Sequence, residues 1–172
     1  MAVELTRRGT RGAGFPAMPR WLLKAFTFVN LVVFRLGGGW MRIQGRPLLL
    51  LTTVGAKTGQ RRQTTLGTFP DFTDGDRRDS WLVVASAAGA AKHPAWYVNM
   101  AKNPDQVWVE VGTDRGRVVK VRPESLKGAE RDRAWREVVR LAPGYGKYQE
   151  QTDRQIPIVR LRAERPERPE AA

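Results

Sequence analysis

Three segments carry the residue types that chemistry needs. In Gly55-Ala56-Lys57-Thr58-Gly59-Gln60-Arg61-Arg62, two glycines bracket a lysine, a hydroxyl and two arginines. Glycines let backbone N–H groups turn toward an anion, and Lys57 and Arg62 supply the charge that holds it. The spacing is not that of a P-loop and no helix pattern follows, so by itself the segment reads more readily as a basic hairpin turn. The second segment is Ala85-Ser86-Ala87-Ala88-Gly89-Ala90-Ala91-Lys92-His93-Pro94-Ala95-Trp96-Tyr97-Val98-Asn99. Its small residues let a flat ring approach the backbone closely, where N–H groups can bond the heteroatoms. His93 is the only histidine, and with no Cys or acidic cluster beside it a metal site is not expected. The third segment is Ala142 to Arg154, in which Tyr145 and Tyr148 are three apart and share a face if the chain turns as a helix. Two phenols on one face suit ordinary packing or a lid that offers hydroxyls to a ligand.

These segments need a scaffold, and the hydrophobic pattern predicts one. Leu48–Thr53 is a short apolar run of strand length, and Gln63–Phe69, Trp81–Ser86, Val107–Val111, Arg117–Arg122 and Ile156–Leu161 follow as strands. Asp74-Gly75 marks a hairpin tip. A short helix opens at Pro94 and runs to Lys102, and a longer amphipathic one spans about Ser125–Leu141 with Ser125 as its N-cap. Residues 142–154 read as a Gly/Tyr-rich turn. About six meandering strands with few helices do not make a wound parallel sheet. They predict a mainly β (α+β) fold, a small split β-barrel of antiparallel strands with flanking helices. No Gly-x-Gly-x-x-Gly fingerprint supports a dinucleotide-binding domain.

Before the barrel, assigned to residues 40–162, the sequence predicts a loose basic arm over 1–18 and an amphipathic helix over 19–37. Arg-Pro-Glu repeats from 163 read as a disordered tail. The formal charge is +13, and residues 1–46 hold eight Lys or Arg against one acid, Glu4. Such an excess implies an anionic partner. In the N-terminal helix Lys24, Thr27 and Arg35 form a narrow polar strip beside Trp21, Phe26, Phe28, Val29, Val33 and Phe34. That pattern suits a lipid surface better than nucleic acid, which calls for aromatics interleaved with the cations. The apolar run Trp21–Leu36 is too short to span a bilayer, and no signal peptide is seen. Cysteine is absent, which excludes thiolate chemistry and suits the cytoplasm.

Taken together, "LLLLTTVGAKTGQRRQTTL", "ASAAGAAKHPAWYVNMAKNP" and "YGKYQEQTDRQIPIVRL" resemble, in that order, the deazaflavin-dependent nitroreductase family of split β-barrel proteins that use coenzyme F420. The resemblance runs from about Gly45 to Arg162. It implies that Lys57, Thr58, Gly59 and Arg62 hold the coenzyme's phosphate and acidic tail, with Thr64 on the following strand. It implies that Ala85, Ser86 and Ala87 meet the deazaflavin ring, that Lys92, Trp96 and Asn99 lie around tail and ring, and that Tyr145 and Tyr148 form an aromatic lid. Tyr145, Tyr148 and Ser86 are then the catalytic candidates, as donors to the developing oxyanion. The reaction implied is hydride transfer from reduced F420 to a lipophilic acceptor such as a quinone or conjugated enone. The chain departs from the family's nitroimidazole-activating member, which has aromatic residues where this chain has Ala142, Gln151 and Gly67-Thr68, so nitro compounds stand behind quinones and enones among the acceptors expected. Further expectations are a homodimer, peripheral contact with the inner face of the cell membrane, and no nucleic acid. An FMN-binding split-barrel reductase and a non-catalytic F420- or anion-binding protein are the alternatives.

Overall fold

A computed structural model describes residues 3–14, 34, 42–43, 46–73, 79–111 and 117–164. The expected N-terminal helix (apart from Phe34), the Asp74-Gly75 tip and the tail beyond Glu164 lie outside the described residues. The elements are β1 (Arg42–Ile43), β2 (Arg46–Val54), β3 (Arg61–Gly67), β4 (Phe69–Pro70), β5 (Ser80–Val84), a 3₁₀ turn (Ala87–Gly89), α1 (Ala95–Lys102), β6 (Val107–Val111), β7 (Val118–Ser125), α2 (Gly128–Leu141), α3 (Gly144–Gln151) and β8 (Ile158–Ala163). Every pairing is antiparallel, in the order β1-β2-β6-β7-β8-β5-β4, with β3 also on β2. This is the split barrel that the strand pattern predicts.

The run in β2 is continuous because both its faces are covered. Leu49 and Leu51 point into the barrel with Val83, Val107, Val109, Val121, Val159 and Leu161, while Leu48 and Leu50 meet Phe34 on the other face. Helix α1 closes the barrel interior with Trp96, Tyr97 and Met100. A second core lies between the sheet and α2, where Ala134 and Val138 pack on Phe69, Leu82, Val84, Ile156 and Ile158. The two edges meet at Thr68, between β3 and β4. Its N–H donates to Pro47 O of β2 at 3.0 Å and its Oγ1 to Leu82 O of β5 at 3.2 Å.

Three local expectations are corrected. Ser125 is not a helix cap: β7 continues through it, paired with Val159, and α2 begins three residues later, at Gly128, behind Lys127. The register with β8 carries the strand past Pro123 and delays the helix. The Gly/Tyr-rich turn is instead largely the eight-residue helix α3. The arm is not loose over residues 3–14. Val3 is buried in the barrel core, Gly9 N–H and Ala13 N–H donate to Ala91 O and Gly89 O, and the Tyr97 hydroxyl donates to Glu4 O. Gly12 passes so close that a Cβ there would lie 2.1 Å from Ala91 N. Its Arg- and Gly-rich composition suggested disorder, but the partners that order it come from distant parts of the chain.

Candidate functional site

The β2–β3 turn presents the first expected group. Gly55 N–H donates to Gln60 O at 2.8 Å and Gly59 N–H to Gly55 O at 2.9 Å, and Gly59 takes a φ of 64°, which a glycine adopts without strain. This tight turn leaves Lys57, Thr58, Gly59 and Arg62 exposed on one projection, with Arg62 Nη2 bonded to Gln60 Oε1 at 3.1 Å. Arg61 turns away and stacks 4.8 Å from the Trp108 ring centroid. Thr64 is paired with Leu51 and is half-buried. Asn99 acts on this turn from α1: its Oδ1 accepts Ala56 N–H at 3.0 Å and its Nδ2 reaches Thr53 Oγ1 at 3.4 Å. One helical turn later Asn103 donates to Val54 O at 3.0 Å. Asn99 therefore fixes the cationic turn to the helix.

At the other end of α1 lies the small-residue loop. Ala85 is buried, Ser86 and Ala87 are half-buried, and Ala87 and Ala88 both have positive φ, 47° and 50°. Left-handed alanines are uncommon and are kept where the surroundings impose them. Gly89, at φ 79°, lets α3 pack directly on the turn: a Cβ there would lie 2.9 Å from Tyr148 O and 2.7 Å from Gln151 Oε1. Ala87, Ala90, Ala91, Lys92, His93, Pro94, Ala95 and Ala13 of the arm line a cavity of about 570 Å³, within the range of small-molecule sites. Trp96 is buried in the barrel core, edge-on to Tyr97 with centroids 6.1 Å apart, so its ring is a packing element.

Tyr145 and Tyr148 do share a face of α3, their rings edge-to-face at 5.7 Å. Tyr145 also meets Phe69 at 5.8 Å, and its hydroxyl oxygen accepts a bond from Arg46 Nη1 at 3.2 Å. The Arg46 guanidinium lies 4.6 Å from the Phe69 ring centroid and 5.1 Å from that of Tyr145, where cation–π attraction adds to the hydrogen bond. Arg46 went unremarked in the sequence because it stands at the edge of an apolar run. The structure thus sets the Ala87–Gly89 turn, next to Ser86, against α3 with its tyrosines, puts Lys92 on the wall of the adjoining cavity, and groups Lys57, Thr58, Gly59 and Arg62 on the turn that Asn99 holds. Helix α1 spans from one group to the other.

The arm is pinned beside this site by one carboxylate. Asp153 accepts Thr10 Oγ1 at 2.6 Å, Thr10 N–H at 2.9 and 3.0 Å, and Arg11 N–H at 3.0 Å, and these bonds hold its pKa well below the usual carboxylate range. Inside, His93 Nε2–H donates to Thr6 O at 2.9 Å and Nδ1 faces Arg154 Nη1 at 3.4 Å. Burial, reinforced by the Arg154 and Arg8 cations, pushes the His93 pKa down despite the Thr6 bond, so the ring is neutral at pH 7. Asp153→Ala should release the arm and speed trypsin cleavage at Arg7, Arg8 and Arg11 by about tenfold or more, because cleavage follows the open population. Unchanged cleavage would mean that Asp153 does not anchor the arm. In the wild type the grip is present above pH 3.8, the ordinary carboxylate value, and is lost only as pH falls through the lowered pKa.

Similar proteins identify the family. The model of a family described as F420H(2)-dependent quinone reductase matches residues 29–163. An F420H(2)-dependent quinone reductase of Mycobacterium tuberculosis is 42% identical over 122 residues, which is 70% of this chain and 76% of that protein. Among solved structures, an F420-H2 dependent reductase aligns with TM-score 0.54 and 36% identity over 67% of this chain and 94% of its own. A chain described as a domain-swapped dimer aligns with TM-score 0.56 and 30% identity, over 81% and 98%. On a family match that spans the whole barrel, and on relatives at this level of identity, the chain belongs to the F420H(2)-dependent quinone reductase family.

Proposed function

We propose that this chain is a reductase that binds reduced F420 between the cationic turn and the Ser86–Ala87 loop and delivers its hydride to a lipophilic quinone-type acceptor. The observation that carries the reading is the arrangement along α1. An exposed cluster of cations sits at one end, fit for a phosphate and carboxylates, and a small-residue loop sits at the other, fit for a flat ring. Bound there, the deazaflavin supplies the hydride, and the protein supplies binding, orientation and electrostatics.

Each residue has a task in this reading. Lys57 and Arg62 neutralise the tail, with the Thr58 hydroxyl and Gly59 backbone beside them. Asn99 keeps the turn in place through Ala56, and Lys92 adds charge at the cavity wall. Ala85, Ser86 and Ala87 border the ring, Thr64 stands with the tail on the strand after the turn, and Trp96 supports the loop from the core. Tyr145 and Tyr148 close the acceptor side. The bond from Arg46 occupies the Tyr145 oxygen as acceptor and leaves its O–H proton to donate to the oxygen that gains charge on reduction. Ser86 is a second donor of the same kind.

The acceptor class is tested by mixing protein anaerobically with reduced F420 and a naphthoquinone and following the return of oxidised-deazaflavin absorbance. Turnover with the quinone is expected, and slower turnover or none with nitroimidazoles. If the quinone leaves the reduced coenzyme untouched, the acceptor class is wrong. Tyr145→Phe should lower kcat by about tenfold or more with KM little changed, since a donor to a developing charge acts mainly in the transition state. Unchanged kcat would remove Tyr145 from the chemistry and leave Tyr148 and Ser86.

The reading extends to location. The cations of residues 1–46 and the apolar helix expected over 19–37 support contact with the anionic inner face of a membrane, where a lipophilic quinone is taken up. Among the described residues no helix is long and apolar enough to cross a membrane. The domain-swapped relative supports a homodimer.

A further inference from the structure

Arg154 is 3% exposed, and every group its guanidinium bonds is neutral. Nε donates to Ala90 O at 2.8 Å, Nη2 to Ser86 O at 2.7 Å and Ala85 O at 3.1 Å, and Nη1 faces His93 Nδ1 at 3.4 Å. No carboxylate among the described residues pairs with it, whereas the other deeply buried arginine, Arg160, is held by Asp71, Glu124 and Glu130. A buried cation without a counter-ion is costly, and it is kept where its bonds do something.

Its acceptors show what it does. The carbonyls of Ala85 and Ser86 belong to the same peptide units as the N–H groups of Ser86 and Ala87. Both peptides are trans, so each N–H points away from the guanidinium. A charge-assisted bond to the carbonyl polarises the amide and makes that N–H a stronger donor. The backbone then gathers these donors. Ser86 is right-handed (φ −70°, ψ −37°), Ala87 has φ 47° and Ala88 is left-handed (φ 50°, ψ 36°), a succession that turns neighbouring N–H groups toward one acceptor. Among the described residues none accepts the N–H of Ser86, Ala87 or Ala88. Arg154 grips this strained loop on both sides, at Ala85 and Ser86 before it and at Ala90 after it, and so imposes the conformation.

We propose that Arg154 is a positioning residue for the coenzyme: it holds and polarises the Ser86 and Ala87 amides as donors to the acceptor atoms of the deazaflavin ring. The proposal rests on the F420 reading above and adds to it the residue that prepares the ring site from behind.

The test compares wild type, Arg154→Met and Arg154→Lys with two ligands, F420 and a 5-deazaflavin that has the ring and sugar-alcohol chain but no phosphate or acidic tail. Ligand fluorescence gives affinity, the absorption maximum of the bound ring reports its hydrogen bonding, and a thermal melt reports folding. Arg154→Met should weaken both ligands by the same factor, about tenfold or more, and move the absorption maximum toward that of the free ring. Arg154→Lys keeps the charge but not the fork that reaches several carbonyls, and should fall about threefold with a smaller spectral shift. A folded Arg154→Met that binds the tail-less ring with wild-type affinity and absorption overturns the proposal. If Arg154→Met does not fold, unchanged affinity and spectrum in Arg154→Lys overturn it instead. Wild-type protein that binds neither ligand overturns the F420 reading itself, which is a different result from tight wild-type binding that the variants retain.

Discussion

Replacing Lys57 and Arg62 together with alanine should weaken F420 binding by about a hundredfold, since each removes one charge-assisted contact to a polyanion and exposed contacts contribute toward the lower end of their range. The turn itself should survive. Its shape is set by backbone bonds from Gly55 and Gly59 and by Asn99 on Ala56, none of which involves either side chain. Stability should therefore stay near wild type while affinity falls. The loss should shrink as salt is raised, because the interaction removed is electrostatic. A tail-less deazaflavin should bind the double variant as it binds wild type, the opposite of what is expected of Arg154 substitutions. The measurement is a fluorescence titration of both ligands at two salt concentrations. An equal loss for both ligands would show that the turn does not hold the tail.

The largest effect on stability is expected at Arg160. Its side chain is 5% exposed, and its guanidinium meets a fully buried Asp71 side chain at 2.7 Å and also Glu124 at 3.3 Å, with Glu130 and Thr73 bonded to Nη2. Asp71 in turn takes bonds from Ser80 Oγ and from Thr73 Oγ1, both at 2.7 Å. Arg160→Met strands a buried carboxylate and should cost about 3–5 kcal/mol. For a domain of this size that is a fall in Tm of about 10 °C. Arg160→Met with Asp71→Asn should be more stable than Arg160→Met alone, because the stranded charge is gone. Burial raises the Asp71 pKa, but the bonds from Ser80, Thr73 and Arg160 outweigh it, and the net pKa is lowered from 3.8. A carboxylate lowered in the folded state contributes stability above its unfolded pKa and loses it as pH falls through the folded value. The gap between wild type and Arg160→Met should thus be widest near neutrality and narrow in acid. A melting series that shows no gap at pH 7 would make the network a bystander.

Much of this was legible in the sequence, and what was not has physical causes. Val107–Val111 is a strand with the bounds the alternation predicts, because Val107 and Val109 fill the barrel and Trp108 and Glu110 do not. The turn at Gly55–Arg62 and the order of the strands were legible for the same local reasons. Ser125 misled because N-cap chemistry is local, while the β7–β8 register that overrides it is set by residues far along the chain. The arm was misread because its partners, Tyr97 and Asp153, lie about a hundred residues away or more. Arg154 carried a signal that went unused. Thr152, Arg154, Ile156 and Ile158 alternate with exposed Asp153 and Gln155, a period of two that points the arginine inward with the isoleucines. A cation on the buried side of an extended segment calls for acceptors, and the carbonyls of the ring loop supply them.

If the two ends of α1 form one binding site for F420, purified protein titrated separately with F420 and with FMN should bind F420 tightly and leave FMN unbound, since FMN lacks the long acidic tail that the turn at Lys57 and Arg62 would hold. FMN bound as tightly as F420, or neither ligand bound, would contradict it.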